Sequence, residues 1–383
     1  MPYFTEEQLA LRDTVRNMVE KEVRPIAAEI DDSDHIPQHL IDLFGDMGLV
    51  QIGLPEEYGG PGGDFTSLCI VREEISRVSQ TCALITGRNW FSVIQVLMNF
   101  GNDEQRRRIL PQIADGRALS AGAITETEAG SDPASMRTRA VLEGDHYVLN
   151  GQKAWVSWGP IAKYITIFAK TGDVDRRGVD NISCFMVERD TPGLSFGKQE
   201  RKIGMHGVPS AAMFLDNVRV PIENRIGEEG RGFIAAMRIL DLNRPSVGAM
   251  GVGLAQGAID LAVSYSKERR QFGKAIADFQ GIQFMLADMQ MQTEAARLLV
   301  YDCARLIDNG ELHGISAKAA MSKAFPTDVA MRVTTDAIQI LGAAGCSKEY
   351  AAERMFRDAK INQIWEGTNQ IQRIVIAREM LRG

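Results

Sequence analysis

The feature that most limits the fold of this chain is the order of its sequence periodicities. Up to about residue 115, apolar residues recur at helical spacing. From 116 to 226, short β-branched and aromatic runs alternate with turn residues, and from 227 onward the helical spacing returns. A doubly wound sheet needs strands and helices to alternate throughout. We therefore predict an α+β multidomain protein with an N-terminal helical domain (1–115), a middle β-barrel or sandwich (116–226) and a C-terminal helical domain (227–383).

Three local signals add detail to this outline. Thr5 precedes two glutamates and a helical run, as a helix N-cap does. The pair Asn150-Gly151 between two β-rich runs predicts the turn of a hairpin. Pro326 lies inside a long helical pattern, where an internal proline costs about 3 kcal/mol, so we expect a bend or break there.

Two patterns resemble ligand-binding motifs, but their sequence context favours ordinary structural roles. "GAMGVGLAQG" (248–257) has dinucleotide-type glycine spacing, but no strand precedes it and its flanks are helical, so its small residues predict close helix packing. His35 and His39 are four residues apart, but Pro37 breaks the helix that would align them, and no third ligand is evident. We predict no metal site.

Composition narrows the class of protein. A formal charge of -7 disfavours nucleic-acid binding. The N-terminal segment carries acids and has no apolar h-region, and we see no run of membrane-spanning length, so we expect a cytoplasmic protein without membrane association. The cysteines form no C-x-x-C pair, which predicts reduced core residues for Cys69, Cys82, Cys184, Cys303 and Cys346.

Four separated stretches resemble the acyl-CoA dehydrogenase family in order and spacing. They are "AITETEAGSDPASM" (123–136), "KAWVSWG" (153–159), "ERRQFGKAIADFQ" (268–280), and "QILGAAG" (339–345) with "IWEGTNQIQR" (364–373). The resemblance covers essentially the whole chain. It implies a C-terminal four-helix bundle, FAD as cofactor, dehydrogenation of an acyl-CoA to its 2-enoyl product, electron-transfer flavoprotein as partner, and a homotetramer.

The first two stretches match the family segments that lie along the flavin. By resemblance Thr125 hydrogen-bonds flavin N5, Trp155 packs against the flavin face, and Ser157 stands where the family usually has threonine. An ordinary polar loop and a buried core tryptophan are the alternatives that the residues alone allow. Further contacts implied by the resemblance are those of Ile124, Gly130 and Ser131 with the cofactor, and of Ser131 with the substrate.

The third stretch resembles a segment that contacts the FAD of a neighbouring subunit. The contacting residues are implied to be Arg269, Gln271 and Phe272, together with Gln280. Arginine suits a pyrophosphate because its planar fork makes bidentate hydrogen bonds. Without the resemblance, the same residues also fit a solvated basic helix end.

The last stretches complete the implied cofactor contacts. "QILGAAG" is similar to a turn that holds the adenosine half of the neighbouring cofactor through Gln339 and Gly342, although Ala343 replaces a glycine common there. Thr368 and Gln370 match residues that touch the ADP moiety. Because two chains would supply these contacts, an oligomer is implied.

The resemblance assigns Glu366 as the catalytic base. Forming a 2-enoyl thioester requires a base that removes the α-proton on the face opposite the flavin. A carboxylate suits this role if a dry acyl pocket raises its pKa toward neutrality. Some subfamilies carry the base at the position of Asn243, which cannot accept a proton usefully. The implied substrate contacts nearby are those of Arg244, Trp365 and Gly367.

The helix of "CALITGRNWFSVIQVL" (82–97) is implied to close the acyl pocket. Arg88 and Trp90 are therefore candidate substrate residues, and large aromatics would shorten the pocket. An inward Arg88 favours a polar or carboxylate-bearing acyl group, because a buried unpaired cation is costly. An outward, solvated Arg88 is what we expect. The arginine of glutaryl-CoA enzymes matches Ala83 here, so that specificity is not supported. We predict a short, branched or polar acyl group.

Two other classes of function remain open at this point. The same site could run in reverse as an enoyl-CoA reductase, or act on a dicarboxylic or cyclic acyl-CoA. A flavin-free scaffold with this fold is the non-catalytic alternative, and the presence of Thr125, Arg269 and Glu366 argues against it.

Overall fold

The computed structural model describes residues 4–173 and 178–382 and has the predicted order of helices, strands and helices. The N-terminal helices are α1 (Glu6–Met18), α2 (Ala27–Ser33), α3 (Gln38–Asp46), α4 (Phe65–Ser76), α5 (Gln80–Ala83), α6 (Gln95–Phe100) and α7 (Asp103–Ile109). Two π-helical segments, Val19–Val23 and Trp90–Ile94, lie between them. The C-terminal helices are α8 (Gly232–Glu268), α9 (Gln280–Asp308), α10 (Ile315–Leu341), α11 (Ala352–Asn362) and α12 (Asn369–Leu381).

The helical domains share one apolar core. The N-cap prediction for Thr5 is confirmed, since its side chain accepts a hydrogen bond from the Gln8 backbone N–H in a capping box. α4 is buried on nearly all sides and packs against α8 and α9, so it joins the first helical segment to the last. The long helices α8, α9 and α10 pack on one another, and α12 packs on α10.

The glycines of the 248–257 segment lie within α8 and allow close helix packing, as predicted. A Cβ on Gly248 would lie 1.9 Å from the Ser322 carbonyl oxygen of α10, and one on Gly253 would lie 2.1 Å from the Glu73 carbonyl oxygen of α4. Only glycine leaves room for these backbones. By length and composition α8 could cross a membrane, contrary to the sequence expectation that no run is long enough. However, 78% of its apolar window is buried inside the protein, as in a core helix.

The middle segment forms one curled, mixed β-sheet. Its strands are β1 (Ser120–Ala123), β2 (Arg139–Glu143), β3 (His146–Ser157), β4 (Tyr164–Lys170), β5 (Ile182–Glu188), β6 (Leu194–Gln199), β7 (Ser210–Pro221) and β8 (Arg225–Ile226). The order is β6-β7-β3-β2-β4-β5-β8, with β1 parallel to β4. Tyr147 of β3 and Phe185 of β5 are not on neighbouring strands, yet their ring centroids are 5.0 Å apart. The sheet therefore curls around its own core in the manner of a barrel. A separate small hairpin consists of β9 (Arg270–Gln271) and β10 (Lys274–Ala275).

The hairpin prediction at Asn150-Gly151 is wrong. β3 continues through both residues, and the turn lies earlier, where Glu143 pairs directly with His146. The register of β3 against β7 shifts between Leu149 and Gly151, so the Asn-Gly pair marks a bulge instead. β3 is long because its pairing with β7 continues beyond the end of β2, which residue types alone do not reveal.

Pro326 does not break its helix. α10 runs through it, and the Thr327 hydroxyl donates to the carbonyl oxygens of Lys323 (2.9 Å) and Ala324 (3.1 Å). The Ser322 carbonyl, which loses its usual donor, lies against Gly248 of α8, where a Cα–H contact is available. Packing on α8 thus compensates for the missing N–H.

The cysteine prediction holds for four of the five residues. Cys69, Cys82, Cys184 and Cys303 are buried and free, whereas Cys346 is free but exposed. Cys346 ends the short 3₁₀ segment after α10, which lies at the protein surface.

The glycine contacts between α8 and α4 give a stability prediction. Replacing Gly253 with alanine forces the helices apart, and we expect a loss of about 1–3 kcal/mol, measured as the free energy of unfolding in denaturant. Gly281→Ala on α9 is the matched control, because no atom lies within 4 Å of the position that its added methyl group would take. Equal stability of Gly253→Ala and Gly281→Ala would contradict this account of α8 packing.

Candidate active site

Glu366 lies in a tight turn between α11 and α12. Both turn residues have left-handed backbone, with φ 54° at Glu366 and 87° at Gly367. For a glutamate this conformation is uncommon and must be held by its surroundings. Gln372 Nε2 donates to the carbonyls of Glu366 (3.2 Å) and Gly367 (2.9 Å), and Lys323 Nζ donates to the Gly367 carbonyl (2.8 Å). The positive φ of Gly367 favours glycine, and a Cβ there would also lie 2.7 Å from the Gln372 Nε2 atom that fixes the turn.

The carboxyl group of Glu366 is enclosed. Its Oε2 is buried and has no hydrogen-bond partner among the described residues, and the Asn243 side chain hydrogen-bonds the carboxyl group. Burial raises the pKa of Glu366, while the positive charges of Arg88, Arg72 and Arg244 oppose the rise. Burial is the largest effect, so the carboxyl binds a proton more readily than an exposed glutamate. This is the environment expected of a general base.

A chain of buried polar groups holds Asn243 in place, and it was not foreseen from the sequence. Arg72 of α4 donates to the Thr86 carbonyl (2.7 Å, Nη2) and to Ser246 Oγ (2.7 Å, Nη1). Ser246 Oγ in turn donates to Asn243 Oδ1 at 2.9 Å. The Asn243 amide group can therefore face Glu366 in only one orientation. No local signal indicated Arg72, whose neighbours in sequence are those of an ordinary helix.

Lys323 is the second residue in contact with the Glu366 turn that the sequence did not indicate. It is fully buried on α10, and its Nζ also donates to Asn369 Oδ1 at 2.9 Å. Burial lowers the pKa of Lys323 to about 7, against the attraction of Glu366. Its contact with the Gly367 carbonyl joins α10 to the Glu366 turn.

Arg88 is buried, contrary to the outward orientation we expected. It is 8% exposed, lies 5.7 Å from the centroid of the Phe91 ring, and interacts electrostatically with Glu366. Arg88 follows Gly87, whose positive φ turns the chain.

Trp90 is not where the pocket prediction placed it. Its ring packs on Phe65 (centroid distance 4.7 Å) and covers Gly53 in the helical core. Phe91 instead borders a small apolar cavity of about 40 Å³, one helical turn beyond Arg88. Other residues around this cavity are Ser92, Ile124, Phe168, Ala236, Ile239 and Leu240. The π-helical geometry of Trp90–Ile94 changes which side chains face inward.

The remaining predicted substrate residues surround the turn. Arg244 is buried and ion-pairs with Asp241, whose other oxygen accepts a hydrogen bond from Ser316 Oγ at 2.5 Å. Trp365 packs against the helical core with its Nε1 buried and without a partner in the described part of the chain. Ile364, which precedes Trp365, is half exposed.

The predicted flavin residues of the middle domain lie side by side. The Ala154 N–H donates to the Thr125 carbonyl at 2.9 Å, which aligns the two stretches. A buried ion pair between Glu126 and Lys153 (2.7 Å) fastens them. Trp155, next in sequence, is 59% exposed with φ 58°. The alternative of a buried core tryptophan is therefore wrong.

These residues fit a flat aromatic cofactor. An exposed tryptophan held in a strained left-handed conformation offers its ring face to a ligand, and strained residues of this kind cluster at binding sites. Ser157 Oγ lies within hydrogen-bond distance of Ser210 Oγ (2.9 Å) on the neighbouring strand. Gly130 and Ser131 lie in the adjoining loop, and no atom would meet a Cβ on Gly130. This open surface can accept FAD beside Thr125.

The residues implied to contact a neighbouring subunit's FAD are at the surface. Phe272 is 95% exposed with φ 51°, at the tip of the β9–β10 hairpin. The other residues of this group are also exposed: Arg269, Gln271 and Gln280 near the hairpin, and Gln339 at the end of α10. Gly342 has φ 64° and nothing near its Cβ position. Thr368 caps α12 by accepting from the Ile371 N–H (3.3 Å), with Gln370 exposed beside it.

Comparison with known proteins identifies the family of the chain. Three family descriptions match it in order: acyl-CoA dehydrogenase N-terminal domain over residues 5–117, middle domain over 121–218 and C-terminal domain over 230–381. The protein named "Probable acyl-CoA dehydrogenase FadE25" of Mycobacterium tuberculosis is 45% identical, over 98% of this chain and 96% of that protein.

Solved structures agree. Butyryl-CoA dehydrogenase from Megasphaera elsdenii superposes with a TM-score of 0.95 at 38% identity, covering 99% of both chains. A chain from a structure concerning the electron transferring flavoprotein of Acidaminococcus fermentans superposes with a TM-score of 0.96 at 43% identity, again over 99% of each chain. The chain belongs to the acyl-CoA dehydrogenase family, the FAD-binding oxidoreductases that act on the CH–CH bond of acyl-CoA thioesters.

Proposed function

We propose that the protein dehydrogenates a short-chain acyl-CoA to its trans-2-enoyl-CoA, with Glu366 as the base. The observation that carries this proposal is the enclosed Glu366 carboxyl, whose pKa is raised by burial, in a turn that surrounding hydrogen bonds hold in place. Trp155 and Thr125 would hold FAD, which would supply the acceptor for the hydride that leaves the β-carbon.

The chain's own residues orient the base and limit its freedom. Lys323 and Gln372 fix the backbone of the turn, and Asn243 donates to the carboxyl group. A base that is already held in the reacting geometry does not lose entropy when the substrate binds. This saving is a large part of enzymatic rate acceleration. The backbone N–H groups of the turn would polarise the thioester carbonyl.

We propose that the small apolar cavity beside Phe91 receives the end of the acyl group, which would then be short. Phe91 stands one turn beyond Arg88, and the apolar space behind it measures about 40 Å³. The solved butyryl-CoA dehydrogenase is a relative with a short-chain substrate in its name. A long acyl chain would have to displace Phe91 and its neighbour Ile239, at the cost of repacking a dense interior.

We also propose electron-transfer flavoprotein as the redox partner and a cytoplasmic homotetramer as the working form. The similarity to a chain studied with the electron transferring flavoprotein of Acidaminococcus fermentans supports the partner. Exposed apolar residues support the assembly: Phe284, Met291 and Leu298 recur every seven residues on α9, and Phe272 is nearly fully exposed. Such a stripe is typical of a helix that packs on another subunit.

Glu366→Gln tests the base. It keeps the shape but cannot take a proton, so we expect kcat to fall roughly 10²–10⁴-fold while FAD stays bound. The measurement is anaerobic bleaching of the flavin absorbance after mixing with butyryl-CoA. Glu349→Gln, at an exposed glutamate, is the control. Bleaching at the wild-type rate in Glu366→Gln would exclude Glu366 as the base.

The raised pKa of Glu366 predicts a pH dependence. The carboxyl must be ionised to accept the α-proton, so kcat/KM falls as pH drops through the Glu366 pKa of the free enzyme. Because burial raises that pKa, the fall should be centred above 4.5, the ordinary value for glutamate. Measuring kcat/KM across about pH 4–9 checks this. A rate that is independent of pH down to 4.5 would contradict it.

The apolar stripe on α9 predicts an interface. Replacing Met291 with glutamate should release smaller species, seen by light scattering after size exclusion, because a charge buried at an interface is costly. FAD should dissociate with them if the Arg269–Phe272 segment of one chain binds the cofactor of another. Val141→Glu, at an exposed apolar residue of the middle domain, is the control. An unchanged mass for Met291→Glu would argue against this surface.

A further inference from the structure

Arg88 is a buried cation whose hydrogen-bonding groups are largely unmatched. A guanidinium offers five N–H donors. In the described part of the chain, the Arg88 side chain makes a single long hydrogen bond, from Nη2 to Ser92 Oγ at 3.4 Å, and its buried Nε has no partner. Burying an arginine in this state costs free energy.

Other buried arginines in the described chain have better partners. Arg72 donates to the Thr86 carbonyl and Ser246, and Arg244 pairs with Asp241. Arg297 donates to Glu73 at 2.8 Å and to Glu294. Arg88 therefore differs from them in lacking an acceptor of matching geometry.

We propose that Arg88 binds a carboxylate at the far end of a short acyl chain, so that the substrate is a dicarboxylic acid esterified to CoA at one end. This inference rests on the proposed dehydrogenation and specifies its substrate class. The planar fork of arginine matches a carboxylate through two parallel hydrogen bonds. A hydroxyl or ketone would satisfy fewer donors and would leave the buried charge unbalanced.

The positions of Arg88 and Glu366 suit such a substrate. The α-carbon must lie against the Glu366 carboxyl, and the charge of Arg88 acts on that carboxyl. The Arg88 guanidinium lies 5.7 Å from the centroid of the Phe91 ring, and Phe91 borders the small apolar cavity. The carboxylate would stay intact, while the α-proton goes to Glu366 and the β-hydride to FAD.

A different role for Arg88 would be to act only as the counter-ion of Glu366. Against this, the buried Arg88 Nε and Glu366 Oε2 both lack a hydrogen-bond partner in the described chain, so these atoms do not join the two side chains. Arg72 and Arg244 also lower the pKa of Glu366, so Arg88, which has the largest such effect, is not the only positive charge that compensates the carboxylate. Burial lowers the pKa of Arg88 to about 10, which leaves the guanidinium charged at neutral pH. It can therefore bind an anion.

The test compares anionic and neutral substrates on the FAD-loaded enzyme. Succinyl-CoA and glutaryl-CoA are assayed beside butyryl-CoA and pentanoyl-CoA, which have a methyl group in place of the carboxylate. The variants are Arg88→Met and Arg88→Lys, with Arg117→Met, at an exposed arginine, as the control. The readout is the ratio of kcat/KM for the anionic and neutral members of each pair, with thermal unfolding to verify folding.

We expect the unmodified enzyme to prefer an anionic member, and Arg88→Met to reduce that ratio by roughly 10²-fold, with Arg88→Lys in between. Arg117→Met should leave the ratio unchanged. Preference for the neutral members, or an equal loss on both in Arg88→Met, would overturn the inference while leaving the dehydrogenase proposal intact. Failure of every acyl-CoA to bleach the flavin would instead overturn the proposed function itself.

Discussion

The enclosure of one carboxyl group among buried cations is the constraint on which the rest of the site depends. Glu366 has to be dry enough to hold a proton, yet surrounded by enough positive charge to ionise at working pH. Three arginines oppose the burial effect without forming a direct ion pair with the carboxyl in the described part of the chain. A direct pair would fix the carboxylate in place and lower its basicity. The distance between the arginines and the Glu366 carboxyl is therefore as important as their charge. Helices from both ends of the chain set that distance.

The three segments have separable physical tasks. The curled β-sheet exposes Trp155 on a strained strand, where a flat ring can stack. The long C-terminal helices supply Asn243 and Lys323 and carry the Glu366 turn. The N-terminal helices bring Arg72 and Arg88 against them. Glycines on α8 allow the backbones of α4 and α10 each to contact α8. Because α4 lies this close to α8, its Arg72 side chain reaches the active site.

Sequence predictions succeeded where the signal is local. The Thr5 cap, the strands of the middle segment and the helical nature of the glycine-rich segment follow from residue type and spacing. The predictions failed where contacts with residues far away in the sequence determine the local structure. Pro326 stays helical because α8 packs against the residue left without a donor, and Asn150 lies within a strand because β7 continues the pairing.

The amino-acid sequence by itself determined the family, the order of the segments and the candidate for the base, because these rest on motifs of adjacent residues. Only the tertiary structure decided the surroundings of Glu366. Lys323 and Arg72 are ordinary helix residues until the fold buries them beside the turn. The physical reason is that burial and charge proximity depend on contacts between residues far apart in the chain, and no local pattern encodes those distances.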